Sequence, residues 1–393
     1  ALELLQQALS LDPDHAVAHA SLALVLTDVH RLPAAEIEAR MALHLDGNDA
    51  FCHYAAAAVC AARRKLDDAW SHCLGAIEHD RIGSVVCRQG ESGPRILIAG
   101  HMDEIGFMVH HITKEGFLRF VPLGGWWDQV LLGQRVIVKT HKGDLVGTIG
   151  AKPPHLLPMD ERQKPVEKKD MYIDIGATSL EEVEQAGVRL GDPVVPASGF
   201  EIMANGKSYM SKAFDDRVGV ALTIGVLQHF AQAPHPNILF GAATVMEEVG
   251  TRGAKTVADV VGPDVAVVLE SDICGDVPGI KPEESSVKLG GGPSMLLADA
   301  RMIPNLKLRD LVMGTARSLG IPLQLSALMG GATDGAQIHL HASGVPTVVL
   351  AVPARHIHSH TSIIHRDDYD RALQLLIAVV EQLDAETVAG LTP

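Results

Sequence analysis

Four apolar runs in this sequence each end in side chains able to hold a metal ion. Ile96-Leu97-Ile98-Ala99-Gly100 leads into His101-Met102-Asp103-Glu104, and residues 238–246 lead into Glu247-Glu248. Residues 265–269 lead into Glu270-Ser271-Asp272, and residues 347–352 pass through Pro353-Ala354-Arg355 to His356-Ile357-His358. A fifth group, Asp215-Asp216, stands at the start of a helical pattern over residues 216–230. Singly these signals are bland, because a lone His-x-Asp is usually a surface or core pair and adjacent acids usually start a solvated helix. Together they converge. A core would use apolar residues at these places, and acids beside buried stretches need a partner such as a cation. Imidazoles and carboxylates without thiolates suit divalent zinc, cobalt or manganese. Two histidines and three carboxylates fit two ions sharing one carboxylate. Such a pair, about 3.5–4 Å apart, polarises a carbonyl and activates water. The reaction class is hydrolysis, with Glu247 beside a ligand and placed to shuttle the proton.

The elements that must bring these groups together are legible in the pattern. Short β-branched runs at residues 84–87, 95–99, 107–111, 117–121 and 135–139 read as strands, and residues 216–230, 306–319 and 371–385 as helices. Between 107 and 206 the only helical stretch is 179–185, opened by Ser179-Leu180-Glu181-Glu182, a capping sequence. That block reads as a small β-barrel or sandwich. From 207 onward apolar strands alternate with helices, the pattern of an α/β sheet whose sites lie beyond the carboxyl ends of its strands. The run 95–99 belongs to that later sheet, so the β block is an insertion. The division expected is residues 81–106 plus 207–393 as an α/β domain with helices on both faces of its sheet, and 107–206 as a β-barrel insertion.

Residues 1–80 are of another kind. Leu11-Asp12-Pro13-Asp14-His15-Ala16 recurs as Leu45-Asp46-Gly47-Asn48-Asp49-Ala50, an offset of 34, and the same offset joins Ala1, Ala35 and Ala69, and Ala8, Ala42 and Ala76. A period of 34 in Ala-rich helical stretches, with small residues at fixed places, resembles the tetratricopeptide repeat. Ala1 falls inside a repeat, so further repeats are expected upstream. An ordinary Ala-rich bundle is the plainer alternative.

Over 393 residues, 48 Asp+Glu against 33 Lys+Arg give a net charge of −15, which argues against a nucleic-acid partner. No apolar run approaches the roughly 18 residues of a membrane span, and no charged-then-apolar leader opens the chain. Five scattered cysteines without a Cys-x-x-Cys pair read as reduced cytosolic thiols, which places the protein in the cytoplasm.

Ala99-Gly100-His101-Met102-Asp103-Glu104-Ile105-Gly106-Phe107-Met108 resembles the first metal motif of the tetrahedral (TET-type) aminopeptidases, the glutamyl and deblocking aminopeptidase family, some of whose members carry an endoglucanase label. Ser211-Lys212-Ala213-Phe214-Asp215-Asp216-Arg217-Val218-Gly219, Met246-Glu247-Glu248-Val249-Gly250 and Arg355-His356-Ile357-His358-Ser359-His360 follow in the family's order, as do Tyr172-Ile173-Asp174-Ile175-Gly176-Ala177 and Gly191-Asp192-Pro193-Val194-Val195. The resemblance covers roughly residues 80 to 385. It implies His101 as a ligand with Asp103 orienting it, Asp215 as the bridging carboxylate, Glu247 as general base and acid, and Glu248 as a ligand. It implies His358 as the last ligand, with His356 and His360 as rivals because alternate residues of an extended segment share a face. For the remaining ligand, where the family usually has an Asp six residues before an Asp-x-Pro-Gly turn, it implies Glu270, six before Asp276 of Asp276-Val277-Pro278-Gly279, with Asp272 the rival. A Thr333-Asp334 loop is either near the substrate pocket or a capping turn. His339, His341 and His365 read as ordinary surface or core histidines.

The resemblance thus implies a metal-dependent aminopeptidase with two divalent ions, Zn²⁺ or Co²⁺, acting on short peptides. It also implies a homo-oligomer built from dimers through the β insertion, up to a dodecamer, with a protein partner for the repeats as a further expectation. The family has a short helical segment before its first strand, and here repeat helices stand in that place. The alternative functions are a repeat-based scaffold with an inactive peptidase-like part, and a carbohydrate hydrolase. The latter needs two facing carboxylates and no metal.

Overall fold

The computed structural model describes residues 2–28, 31–46, 52, 55, 56, 59, 76–231 and 233–392. The third unit of the 34-residue period, around Ala69, and most of the Ala-rich stretch 50–62 lie outside the described residues.

Why the central strands are buried on both sides follows from their residues. Strand β3 (Arg95–His101), after β1 (Ala76–His79) and β2 (Val85–Gln89), alternates Ile96 and Ile98 on one face with Leu97 and Ala99 on the other. A strand apolar on both faces needs helices on both faces. On the first face the helices Phe214–Phe230, Leu306–Ser318 and Arg366–Gln382 contribute Leu222, Val226, Val312, Leu375 and Val379. On the other, Arg252–Val261 and Gly335–Ile338 contribute Ala254, Val257 and Ile338.

The chain leaves this sheet after β3 and enters a barrel. It comprises β4 (Gly106–Ile112), β5 (Leu118–Leu123), β6 (Arg135–Thr140), β7 (Gly143–Gly150), β8 (Tyr172–Asp174) and β9 (Pro193–Pro196), closed in the order β4-β5-β8-β7-β6-β9. Closure leaves no open edge, and Phe107, Phe120, Val136, Ile149 and Ile173 fill its interior. The capped helix is Leu180–Ala186, where Ser179 Oγ accepts from Glu182 N at 3.3 Å.

The chain then returns through β10 (Glu201–Ile202), β11 (Ser208–Ser211), β12 (Ile238–Thr244), β13 (Val265–Ile273), β14 (Ser294–Asp299), β15 (Gln324–Leu328), β16 (Thr347–Arg355) and β17 (Ser362–His365). These complete an eleven-stranded mixed sheet in the order β1-β2-β12-β3-β13-β16-β17-β11-β10, with β14 pairing β16 and β15. At its centre β12, β3, β13 and β16 run parallel. Their carboxyl ends therefore share one edge.

Three boundaries differ from the sequence reading. Residues 76–79, expected within the helical repeats, pair antiparallel with β2 as an edge strand. Residues 201–202, expected within the insertion, pair with β11 in the large sheet. The last long helix starts at Arg366 and not at 371, because His365 Nδ1 accepts from Asp367 N and caps it. At the N-terminus the helices Leu2–Leu11, Ala16–Asp28 and Leu32–Leu45 pack through Ala20, Ala23, Ala35, Ala39 and Ala42. Small residues permit that close approach, but a packed set of helices does not by itself make a tetratricopeptide array.

Candidate metal centre

The predicted groups meet at the carboxyl edge of the four parallel strands. His101 is the last residue of β3; Glu247 and Glu248 follow β12; Glu270 lies in β13 opposite Ala351 of β16; and His358 follows β16. Asp215 comes from the other side, at the start of the helix Phe214–Phe230, joined to Asp216 by a cis peptide bond. Asp216 is fully buried. Its carboxylate accepts from His101 N at 3.1 Å and Gly219 N at 3.0 Å, which ties this helix to the end of β3. Glycine is required at the crossing: a Cβ on Gly100 would lie 2.6 Å from the carbonyl carbon of Gly219 and 2.8 Å from Asp216 Oδ2.

Two sets of three ligand atoms result, His101–Asp215–Glu270 and Asp215–Glu248–His358, with Asp215 common to both. His101 Nε2 lies 3.2 Å from Asp215 Oδ1 and 3.9 Å from Glu270 Oε2. His358 Nε2 lies 3.2 Å from Asp215 Oδ2 and 3.6 Å from Glu248 Oε2. Each imidazole is oriented through its other nitrogen. His101 Nδ1 donates to the Asp103 carbonyl at 3.2 Å, with the Asp103 carboxylate 3.5 Å away, and His358 Nδ1 donates to the Gly125 carbonyl at 2.8 Å. Each Nε2 is thereby aimed at the acids, and in the neutral imidazole would offer its lone pair to an ion there. Asp103 also accepts from the backbone of Glu247 and Glu248 at 3.1 and 3.2 Å, so one carboxylate braces both the first and third motifs. Glu247 joins neither set, and its Oε2 stands 3.9 Å from His101 Nε2.

The electrostatics suit cations. Burial, followed by repulsion from Asp334, Glu248 and Asp215, pushes Glu247 up to about 9 against the pull of His101. Burial and the Asp215 charge push Glu248 up to about 7. Glu270 is raised well above the carboxylate range, by burial and then by the neighbouring acids. Burial would raise Asp215 too, but hydrogen bonds from His101 and His358 hold it low. His358 is lifted to about 9 by Asp215 and Glu248, against burial. Acids that repel one another in a buried site are relieved by positive charge, which divalent ions supply. Glu248 Oε1, buried with no hydrogen-bond partner among the described residues, is a donor atom of the kind such an ion satisfies.

The rival positions lie elsewhere. Asp272 accepts from Ser326 Oγ at 2.6 Å and from Ile273 N at 2.8 Å, away from the two sets. His360 is buried against Trp126, ring centroids 5.3 Å apart, and His356 is exposed. The segment is not the extended one the alternation argument assumed: His356 and His358 have φ of 59° and 56°, so the alternate residues 356, 358 and 360 do not share a face. His339 donates to the Gly335 carbonyl, His341 pairs with Asp259 and His365 caps a helix, each engaged locally.

Other neighbours of the site carried weaker signals. Asp334 makes no side-chain cap; its buried carboxylate accepts from the Thr244 hydroxyl, and its charge reaches Glu247. Of the two readings of that loop, the capping one fails, and Asp334 is buried beside Glu247 without lining either hollow near the site. Glu104, in the first motif, lies 3.0 Å from Lys212 Nζ and 3.2 Å from Arg217 Nη2, both in the second motif. Pair spacing in the sequence hides such a cross-link. Gly125, which receives His358, gave no sequence signal beyond being a glycine.

The sequence profile of the M42 glutamyl aminopeptidase family matches residues 83–375. A putative aminopeptidase of Escherichia coli K12, FrvX, is 42% identical over 318 residues, covering 80% of this chain and 88% of its own. Among solved structures, a TET aminopeptidase from the marine sediment archaeon Thaumarchaeota archaeon SCGC AB-539-E09 is 50% identical. It aligns with a TM-score of 0.82 over 84% of this chain and 93% of its own. The TET1 peptidase of Pyrococcus horikoshii, which can assemble into a tetrahedron or a large octahedral shell, is 33% identical, with a TM-score of 0.74 over 81% and 94%.

Proposed function

The chain belongs to the M42 glutamyl aminopeptidase family, and from that premise we propose that it removes N-terminal residues from short peptides at a centre of two divalent ions. His101, Asp215 and Glu270 would hold one ion, and Asp215, Glu248 and His358 the other. The carrying observation is the division of Asp215, one carboxylate oxygen toward each histidine. When bound, the ions polarise the scissile carbonyl and make water acidic enough to attack.

The chain's own residues do the rest. Glu247 lies outside both ligand sets and 3.9 Å from His101 Nε2, so as a carboxylate it is placed to accept the proton of water and return it to the leaving amine. Asp103 would fix the tautomer of His101 and, through two backbone amides, the position of Glu247. The Glu104–Lys212–Arg217 cluster would hold the first and second motifs at a constant separation.

The test uses aminoacyl-p-nitroanilides and short peptides. Activity lost on chelation and restored by Zn²⁺ or Co²⁺ is expected, with two ions per chain by elemental analysis. Activity that survives complete metal removal would defeat this reading.

The finer expectations are part of the same proposal. We assign residues 76–106 plus 201–393 to the catalytic unit, 107–200 to a dimerising barrel, and the chain before residue 76 to tetratricopeptide-like repeats offering a partner surface. Assembly into dodecamers, a cytoplasmic location, and zinc or cobalt as the ion belong here too. A scaffold reading finds no comparable support, because every ligand position carries a metal-competent side chain.

A further inference from the structure

Beside the ligand cluster are two hollows that share His358 and Ser359. The inner one, lined by Glu104, Lys212, Asp215 and Glu248, has room for about 20 Å³, the scale of an ion or a water. The outer one measures about 780 Å³, within the range of ligand sites. It is walled on one side by barrel residues Trp126, Trp127, Val130 and Gln134, and on the other by the 356–361 segment that follows β16.

An enzyme that removes one residue must be closed beyond the substrate's amino group and open beyond the scissile bond. The inner hollow is walled by the ligands and offers no space for the body of a peptide. The outer cavity opens to the surface, where Trp127 is 62% exposed. Resting on the aminopeptidase reading above, we propose that this cavity is the subsite for the second residue of the substrate, and that Trp127 selects an apolar or aromatic side chain there.

The chemistry of the walls commits to that occupant. Trp126 Nε1 already donates to the Gly106 carbonyl at 2.9 Å, and its ring is stacked on Phe107 at 4.7 Å, so it is a rigid apolar wall. Trp127 presents a free aromatic surface, and Val130 adds to it. No Lys, Arg, Asp or Glu lines the cavity, His358 is turned to the ligand carboxylates and His360 is packed on Trp126, so of the lining groups only the exposed His356 is left to meet a charged side chain that enters and loses water. Gln134, Ser359, Thr361 and His356 are polar groups available to a peptide backbone. Gly125 makes the junction possible: a Cβ there would stand 3.0 Å from His358 Nδ1.

The experiment compares kcat/KM for Leu-Phe-Gly, Leu-Gly-Gly, Leu-Glu-Gly and Phe-Gly-Gly, in the metal-loaded full chain and in Trp127→Ala and Trp127→Phe. The wild type is expected to prefer Leu-Phe-Gly over Leu-Gly-Gly by about tenfold, the scale set by one apolar group in a pocket, and to disfavour Leu-Glu-Gly. Trp127→Ala should collapse the Phe/Gly ratio toward one, and Trp127→Phe should keep most of it, with bound metal unchanged in both. An unchanged ratio in Trp127→Ala, or a wild type indifferent to the second residue, overturns the subsite. So does a Trp127 effect that follows the first residue. A wild type that binds no ions and cleaves none of the peptides would instead remove the aminopeptidase reading, and the subsite with it.

Discussion

His101 and His358 each meet a different oxygen of Asp215 at 3.2 Å, so the whole cluster turns on one carboxylate. The choice between Glu270 and Asp272 is also made at this scale. Glu270 stands with His101, while Asp272 is engaged by Ser326 and its own strand. Glu270→Ala is therefore expected to lose one ion per chain and at least about 100-fold in kcat/KM, whereas Asp272→Asn keeps its metal. Retained metal in the Glu270 variant would reject the assignment. Protonation gives a second expectation, for chelated protein. Glu248 and Glu247 move from 4.5 to about 7 and about 9, and His358 moves from 6.5 to about 9. Through these intervals the folded chain binds more protons than the unfolded one, so stability falls as pH rises. The glutamates become costly above 4.5, and the stabilisation from His358, full below 6.5, is gone above about 9. Asp215 has the opposite sign, but its window lies below 3.8. The melting temperature of chelated protein should decline from about pH 5 to about 9, and divalent ions should flatten that slope. A level profile in the chelated protein would count against this picture.

The elements place these residues through one close crossing. The helix Phe214–Phe230 reaches the end of β3 because Gly100 and Gly219 leave room for the Asp216 carboxylate, which then fixes His101 N. Gly219→Ala would drive a methyl group into that carboxylate, an overpacking cost of about 1–3 kcal/mol. A lowered melting temperature and weakened metal binding should appear together, by calorimetry and metal titration. A variant as stable and as well metallated as wild type would mean the crossing tolerates what its geometry excludes. The loop after β16 matters in the opposite sense. Two left-handed residues, His356 and His358, turn it so that the second imidazole alone faces Asp215.

At the scale of the molecule, a closed barrel is inserted between β3 and the rest of the sheet, and the outer cavity lies where the barrel and the 356–361 loop meet. The barrel's surface carries Val146, Leu156, Met159 and Leu190, all more than half exposed, apolar area of the kind that subunit contacts cover. Light scattering is expected to give a multiple of the chain mass. A single-chain mass across the micromolar range would defeat the proposed assembly. No helix among the described residues is long and apolar enough to cross a membrane.

Much of this was written in the chain. Continuous apolar runs, interrupted by helical stretches, dictate a sheet covered on both faces, and the His, Asp and Glu residues that end those runs mark the edge where chemistry collects. Local pattern carries such information because side-chain alternation and capping depend on near neighbours. What it could not carry was direction and contact across the chain. That His358 and not His356 or His360 faces Asp215 depends on two left-handed torsions. The separation of Glu270 from Asp272 depends on Ser326, which the fold brings from 54 residues away. The pairing of Glu104 with Lys212, 108 residues on, and the closeness of Gly100 to Gly219 likewise exist only once a helix is laid on a strand. Tertiary structure decided these points because burial and charge act through space, over a few ångströms, between residues the sequence keeps far apart.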